Sequence, residues 1–203
     1  RTFEDTRSIL RQPELFKAAG ITGVCIDTIT KAEELSEPYI FEHYKKETGE
    51  KVHTLEGYGW GKGYRHALEV LRLLLQDSEC LIRAGIDVIL LGQEANATMA
   101  NSAGLDFLQA GPKLHHTKQH SSRLELQEWS DHVIRIGYAE NKVVGAAYAT
   151  KGKIVSTDTT RVLYAAPARH FFAKTRTLTE PVISFSEPAD DSLWRFIRPE
   201  NYR

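Results

Sequence analysis

The sequence predicts an α/β domain of three layers, built on a mostly parallel sheet that gains antiparallel strands toward its C-terminal end. Three observations carry this. Two short apolar runs, GVCID at 23–27 and DVILLG at 87–92, have the length and composition of strands buried on both faces. Between them lies YRHALEVLRLLLQDSECLIRAG, in which Ala67, Leu71, Leu74 and Leu81 fall on one helical face. From residue 132 onward the pattern changes: HVIRIGYAE, KVVGAAYAT, TRVLYAAPA, HFFAKTR and PVISF are apolar or alternating runs at strand length.

Taken in order, residues 3 to 19 read as an amphipathic helix stopped by Gly20. The first strand follows. Thr30 and Glu33 have the T-x-x-E spacing of a capping box that opens a second helix near residue 31. Pro38 is expected to kink or restart that helix, which then continues to about residue 47. The glycine-rich GYGWGKGY, 57–64, leads into the strongest helix of the chain, and Gly85 supplies its stop. After the second strand, residues 94–120 lose all periodicity, which in a compact domain marks a functional or disordered loop. Ser122 and Glu125 read as a second capping box, for a helix through Trp129. The tail DDSLWRFIRPENYR reads as a short helix or an arm.

Bulk properties exclude several classes. A chain of 203 residues suits one domain with a real core, and 41% hydrophobic with 26% charged residues is ordinary for a globular protein. A net charge of −1 argues against a strongly basic nucleic-acid binder but leaves room for a local basic face. No apolar run approaches the roughly 20 residues needed to span a bilayer, so no membrane partner is expected. Cys25 and Cys80 read as buried thiols of a reducing compartment. The domain is drawn over residues 1–185, with a tail at 186–203.

GYGWGKGY fails as a phosphate loop. In GxxxxGK[ST] with Gly61-Lys62 as the GK, the first glycine falls on Glu56 and the magnesium-holding hydroxyl on Gly63. VCIDT has the form of a Walker B element instead. Asp27 emerges at the carboxyl edge of the strand, where an open α/β sheet binds ligands, and a carboxylate there holds the water shell of magnesium on nucleotide phosphates. Asp also ends many strands only because it favours turns. Gln93 ends the second strand in the equivalent place, ahead of the 94–120 segment. An amide there can sense a γ-phosphate and relay its presence; it can equally be an ordinary polar strand end.

CIDTIT, then GYGWGKGY with a long helix, VILLGQE, a long loop, RLELQEWSDHVIRI and HFFAKTR follow one another in an order that resembles the RecA-like P-loop ATPase domain of many bacteriophages. The resemblance covers roughly residues 1–185. It implies a three-layer RecA-like core, ATP and Mg2+ as cofactors with Asp27 and Thr28 at the nucleotide, and single-stranded DNA as partner. It also implies self-association into a filament or ring, and the cytoplasm of a bacterial host. It places GYGWGKGY in the first DNA-binding loop: Tyr58, Trp60 and Tyr64 as stacking faces, Lys62 and Arg65 for phosphates. The other reading of this stretch is a flexible linker whose aromatics pack on the core. The 94–120 segment becomes the second DNA loop, locally basic through Lys113, His115, His116, Lys118 and His120, with Lys113 and Lys118 as its DNA-binding residues. Its histidines lack cysteine partners and zinc spacing, so no metal site is expected among them. Gln93 becomes a catalytic coupling residue, and Lys174 and Arg176 reach the nucleotide of a neighbouring subunit.

One part of the pattern is missing. No GK[ST] occurs in the chain, and the catalytic carboxylate that should follow a phosphate loop has no place. With Arg1 as the first residue, the expectation is either a fragment of a larger ATPase or a degenerate member. Alternatives to an ATP-dependent DNA-binding protein are therefore a non-catalytic DNA-binding or scaffold subunit, and a helicase or helicase-loader relative.

Overall fold

The computed structural model describes residues 2–101, 103–139, 141–142, 154–155, 160–185, 190–191 and 193–194. Most of the run KVVGAAYAT and most of the C-terminal tail lie outside these residues. The chain packs as two compact units. One comprises Arg1–Ala97 and Pro112–Leu126, the other Thr98–Gly111 and Gln127–Arg203. Both helices and sheets are present, so the α/β class holds; among the described residues the strands form small sheets of two or three.

The first unit begins with α1 (Phe3–Leu10) and α2 (Pro13–Ala18), two helices rather than one. Pro13 sits at the first turn of α2, where its missing N–H costs nothing, and cannot continue α1. Then come β1 (Gly23–Asp27), α3 (Ile29–His43), a 3-10 turn at Glu56–Tyr58, α4 (Lys62–Arg83) and β2 (Asp87–Leu91). β1 and β2 run parallel, with Gly23 opposite Asp87 and Asp27 opposite Leu91. They were expected to be fully buried and are not. Alternate residues of β1, Gly23, Cys25 and Asp27, are exposed. Cys25 and Cys80 are accordingly both exposed thiols, contrary to the sequence reading.

Helix α4 forms as expected. Ala67, Leu71, Leu74 and Leu81 are all buried, together with Val70, Leu68 and Leu75. The helices that contact α4 are α1 and α3, which bury Phe3 and Leu10, and Ile29 and Ile40, respectively. Gly61 (φ 74) enters the helix and Gly85 (φ 82) ends it. Pro38 does not break α3. It lies on the exposed face, where the carbonyl deprived of its partner meets water.

Both capping boxes are displaced. α3 is capped by Thr28, whose hydroxyl accepts the N–H of Lys31 at 3.0 Å. Thr30 and Glu33 are inside the helix and buried. The helix α5 (Ser122–Trp129) is likewise capped by Ser121, whose hydroxyl accepts from Leu124 N–H at 3.1 Å, while Ser122 is buried.

The 94–120 segment is not a structureless loop. It contains β3 (Glu94–Met99) and β4 (Phe107–Pro112), which pair as a two-stranded sheet. Ala95, Ala97, Ala110 and Gly111 carry too little apolar surface for the alternation to be visible in the sequence.

The second unit holds β5 (Arg135–Tyr138), β8 (Arg161–Tyr164) and β9 (Val182–Phe185) as an antiparallel sheet with β8 in the centre. Two short strands, β6 (Asn141–Lys142) and β7 (Ile154–Val155), pair antiparallel. Antiparallel strands in the C-terminal third are therefore as expected, but among the described residues they form sheets of their own and do not extend the β1–β2 pair, and HFFAKTR, read as a strand, makes only isolated bridges at Phe171 and Lys174. The core of this unit gathers Ala110, Val162, Tyr164, Phe171 and Ala173, and the Arg135 guanidinium lies over the Phe171 ring at 4.6 Å. Among the described residues no helix is long and apolar enough to cross a membrane.

Candidate functional site

The site is built where β1 and β2 end together. Their parallel register brings Asp27 level with Leu91, so Gly92 and Gln93 continue one step past the same edge. Asp27 is exposed, and its peptide bond to Thr28 is cis. The chain turns at once into α3. Ile29 packs beneath the edge, with its Cγ2 3.3 Å from where a Cβ on Gly92 would sit.

Gln93 is held from two sides. Its N–H donates to Thr30 Oγ1 at 3.2 Å, and its carbonyl accepts the N–H of Lys113 at 2.7 Å. The ammonium of Lys113 also donates to Gln93 Oε1 at 3.4 Å. Asp27, Thr28, Gln93 and Lys113 thus belong to one corner of the first unit. Asp27 offers an exposed carboxylate on the carboxyl side of a parallel pair, which suits the water shell of a hydrated magnesium ion. The GK[ST] sequence of a phosphate loop does not occur in this corner. Among the described residues no cluster of three His, Cys, Asp or Glu side chains is placed to hold a metal directly.

The GYGWGKGY stretch resolves into unlike parts. Tyr58 is buried, and its hydroxyl donates to Ile40 O at 3.2 Å and Tyr44 O at 2.8 Å. It is a core residue with no free stacking face, as the packed-aromatic reading held. Tyr64 is half-buried; its hydroxyl donates to Glu56 Oε1 at 2.6 Å, and its ring meets His115 edge-on at 5.4 Å. That bond keeps the Glu56 carboxyl below the usual range and lifts the Tyr64 phenol. Lys62 pairs with Glu47, and Arg65 with Glu69 at 2.9 Å.

Trp60 is different: it is 96% exposed. It is carried on three successive left-handed residues, Gly59 (φ 72), Trp60 (φ 50) and Gly61 (φ 74). A tryptophan in that conformation is uncommon and strained, so the turn holds an indole in water against both local and hydrophobic preference. Lys113 and Lys118 are exposed as expected.

Lys174 and Arg176 lie in the second unit. Residues 174–176 form no continuous strand: Lys174 makes an isolated bridge with Val133 and Arg176 lies in a bend. The Lys174 ammonium donates to the carbonyls of Gln127 at 3.0 Å and Glu128 at 2.8 Å, in the last turn of α5. Arg176 pairs with Asp131 at 2.8 Å. His132 sits between these elements. It is bonded to Thr175 Oγ1 at 2.9 Å, and burial, aided by Arg176, holds its pKa below the usual imidazole value.

Sequence reasoning did not bring Glu33, Glu37 and His115 together. Glu33 Oε2 accepts the backbone N–H of His115 at 2.9 Å, and Glu37 Oε1 lies 3.5 Å from His115 Nε2. Burial pushes the Glu33 carboxyl above its ordinary range, against the opposing pull of His115. A signal was present. Thr30, Glu33 and Glu37 share the helical face of Ile29, Ala32, Ser36 and Ile40, so a glutamate was bound to be inside.

Against known proteins, the family model of an AAA domain matches residues 8–177. No curated protein and no solved structure gives a match.

Proposed function

The chain belongs to the AAA domain family, and from that premise we propose that it is the magnesium-side part of an ATPase that grips single-stranded DNA and works as an oligomer. The family implies nucleotide binding, with ATP and Mg2+ as the ordinary pair. The observation that carries the finer reading is the corner where β1 ends at Asp27 and the chain leaving the parallel β2 reaches Gln93. One residue can hold a hydrated cation, and the other opens the Glu94–Pro112 excursion. Asp27 and Thr28 fit the magnesium side of a nucleotide. The phosphates need a GK[ST] loop, which is not among these 203 residues, so such a loop has to meet Asp27 for hydrolysis to occur.

Trp60 supports the DNA part. An exposed indole held out by a strained turn is a stacking platform for a base, and sequence-tolerant stacking of this kind contributes about 1–3 kcal/mol per base. Lys62, Tyr64, Arg65, Lys113 and Lys118 supply the polar surround. Arg176, more than half exposed, is the better residue to reach a neighbouring subunit's nucleotide, with Lys174 holding α5 behind it. A RecA-like role in phage recombination, annealing or replication is the reading these parts suit best.

The test is binding of a fluorescent oligothymidylate with and without Mg-ATP. ATP is expected to tighten binding. Asp27→Asn should remove that response while leaving nucleotide-free binding intact, and Trp60→Ala should weaken binding about tenfold in either state. Binding that ignores ATP in the wild type would favour a non-catalytic DNA-binding subunit, the reading that the absent GK[ST] motif motivates.

A further inference from the structure

The chain leaves the first unit after Ala97 and re-enters it at Pro112, and both points are fastened to α3. At the departure, Thr30 Oγ1 accepts the N–H of Gln93. At the return, Glu33 Oε2 accepts the N–H of His115 and Glu37 faces the His115 ring. The two ends are tied to each other by Lys113 N–H on the Gln93 carbonyl, and Arg123 N–H donates to His115 O at 3.3 Å. Thr30, Glu33 and Glu37 lie one above another on the helix that starts two residues after Asp27.

Glu33 is the deepest of these groups, at 8% exposure. Its Oε1 and the Ser122 hydroxyl are both buried, and among the described residues neither completes a hydrogen bond, although Ser122 is near enough to act on the carboxyl. A neutral carboxyl has one donor and one acceptor. With the proton on Oε1, that oxygen can donate to Ser122 Oγ while Oε2 keeps the His115 N–H. An ionised carboxylate can instead accept the Ser122 hydroxyl at Oε1, but it holds its charge in a site that burial disfavours. The groups facing it are His115, whose charge and backbone N–H favour the ionised form, Ser122, whose hydroxyl does the same, and Glu37, which adds to the penalty; burial is the largest influence and the pKa is raised. From α4, Tyr64 touches His115 and carries Glu56 on its hydroxyl.

We infer that Glu33 is a positioning residue: it latches the returning segment onto α3, most firmly when protonated, and so fixes the junction of Gln93 with Lys113. Its bearing on the nucleotide response rests on the function proposed above; the latch does not. When the latch opens, Glu33 meets water and regains an ordinary carboxylate titration. Closing is therefore favoured at low pH and weakens as pH rises through the Glu33 titration.

The experiment is amide hydrogen exchange on the full chain without nucleotide, read at Lys113 and His115, with α4 amides as internal reference. Glu33→Ala is expected to lower protection at His115 about tenfold or more, and Glu33→Gln to keep it within about threefold of wild type. Corrected for intrinsic rates, protection should fall with rising pH in the wild type and stay level in Glu33→Gln. If Glu33→Ala loosens α4 as well, the Glu33→Gln comparison and its pH profile decide. Three results would overturn the latch: His115 as protected in Glu33→Ala as in wild type, Glu33→Gln as loose as Glu33→Ala, or the wild-type pH dependence surviving in Glu33→Gln. The last would assign that dependence to His115 or Glu37. With no nucleotide in the sample, none of these results touches the ATPase reading.

Discussion

Arg7 and Asp77 are joined in the interior of the first unit, 70 residues apart in sequence, by a 2.7 Å bond from Arg7 Nε to Asp77 Oδ2. The other carboxylate oxygen accepts from Arg11 Nε at 2.9 Å. Arg7 and Asp77 are both 6% exposed, so the pair is an interior one that ties α1 to α4. Removing one partner of such a pair leaves an uncompensated buried charge, at about 3–5 kcal/mol. Asp77→Ala is therefore expected to cost that much in urea unfolding. Glu125→Ala, which breaks the bidentate but exposed pair with Arg72, should cost at most about 1 kcal/mol. Equal losses in the two variants would show that burial does not set the scale here.

Gly63 meets the backbone of Leu55 more closely than any side chain allows. A Cβ at Gly63 would lie 2.0 Å from Leu55 O and 2.7 Å from its Cα. In an exposed helix, Gly→Ala stabilises by about 0.5–1 kcal/mol. Here the sign should reverse, because the new atom overlaps backbone that cannot rotate away. Gly63→Ala is expected to destabilise by about 1–3 kcal/mol, lowering Tm by several degrees. An unchanged or raised Tm would mean that α4 does not start against Leu55. The opening glycines of this stretch thus have two different tasks: Gly63 allows close packing, and Gly59 and Gly61 aim Trp60.

These tasks bear on how much the sequence could disclose. α4 was legible because its apolar positions repeat at helical spacing and glycines bound it. β1 and β2 were legible as apolar runs, and Asp27 and Gln93 would share an edge if the two strands were neighbours, which the parallel pairing supplies. Exposure was not legible: how much of a strand is covered depends on what packs on it, and composition does not carry that. β3 and β4 were missed because alanine, asparagine and glycine leave no alternation to read. The caps moved because Thr28 and Thr30, like Ser121 and Ser122, compete for one role, and the tertiary partner decides. Thr30 is taken by Gln93, so Thr28 caps. Glu33 fitted a capping box in sequence only because its true partner is 82 residues away.

The Glu33 carboxyl makes a pH prediction of definite sign. Burial, the largest influence on it, raises its pKa above the ordinary value. The fold then binds that proton more tightly than the unfolded chain does. The associated stability is complete below the unfolded carboxylate value of about 4.3 and is lost as pH rises through the higher folded value. Glu33→Gln keeps an acceptor for His115 N–H and carries no charge at any pH. It should match wild type near pH 4 and exceed it near pH 8, with the higher Tm there. Melting curves across this range would reject the idea if the wild type were the more stable protein at pH 8.

Lys174 and Arg176 separate in the structure, and their variants should separate too. Lys174 gives its ammonium to two carbonyls at the end of α5 and pairs its backbone with Val133, with Val133 N–H to Lys174 O at 2.7 Å. A cation on the final carbonyls of a helix satisfies orphan acceptors and opposes the negative end of the dipole. Lys174→Ala is therefore expected to lower stability by about 1–2 kcal/mol, whatever it does to activity. Arg176 pairs with Asp131 at the surface, both side chains more than half exposed, so Arg176→Ala should change stability by less than about 0.5 kcal/mol. If Arg176 reaches a neighbour's nucleotide, its alanine variant will fold normally and lose hydrolysis in the assembled ATPase. Hydrolysis should return when Arg176→Ala subunits are mixed with Asp27→Asn subunits, because each supplies what the other lacks at about a quarter of the shared sites in a random equimolar assembly. Measuring hydrolysis of the two variants alone and mixed decides it: recovery requires a site shared between subunits, and no recovery places Arg176 outside it.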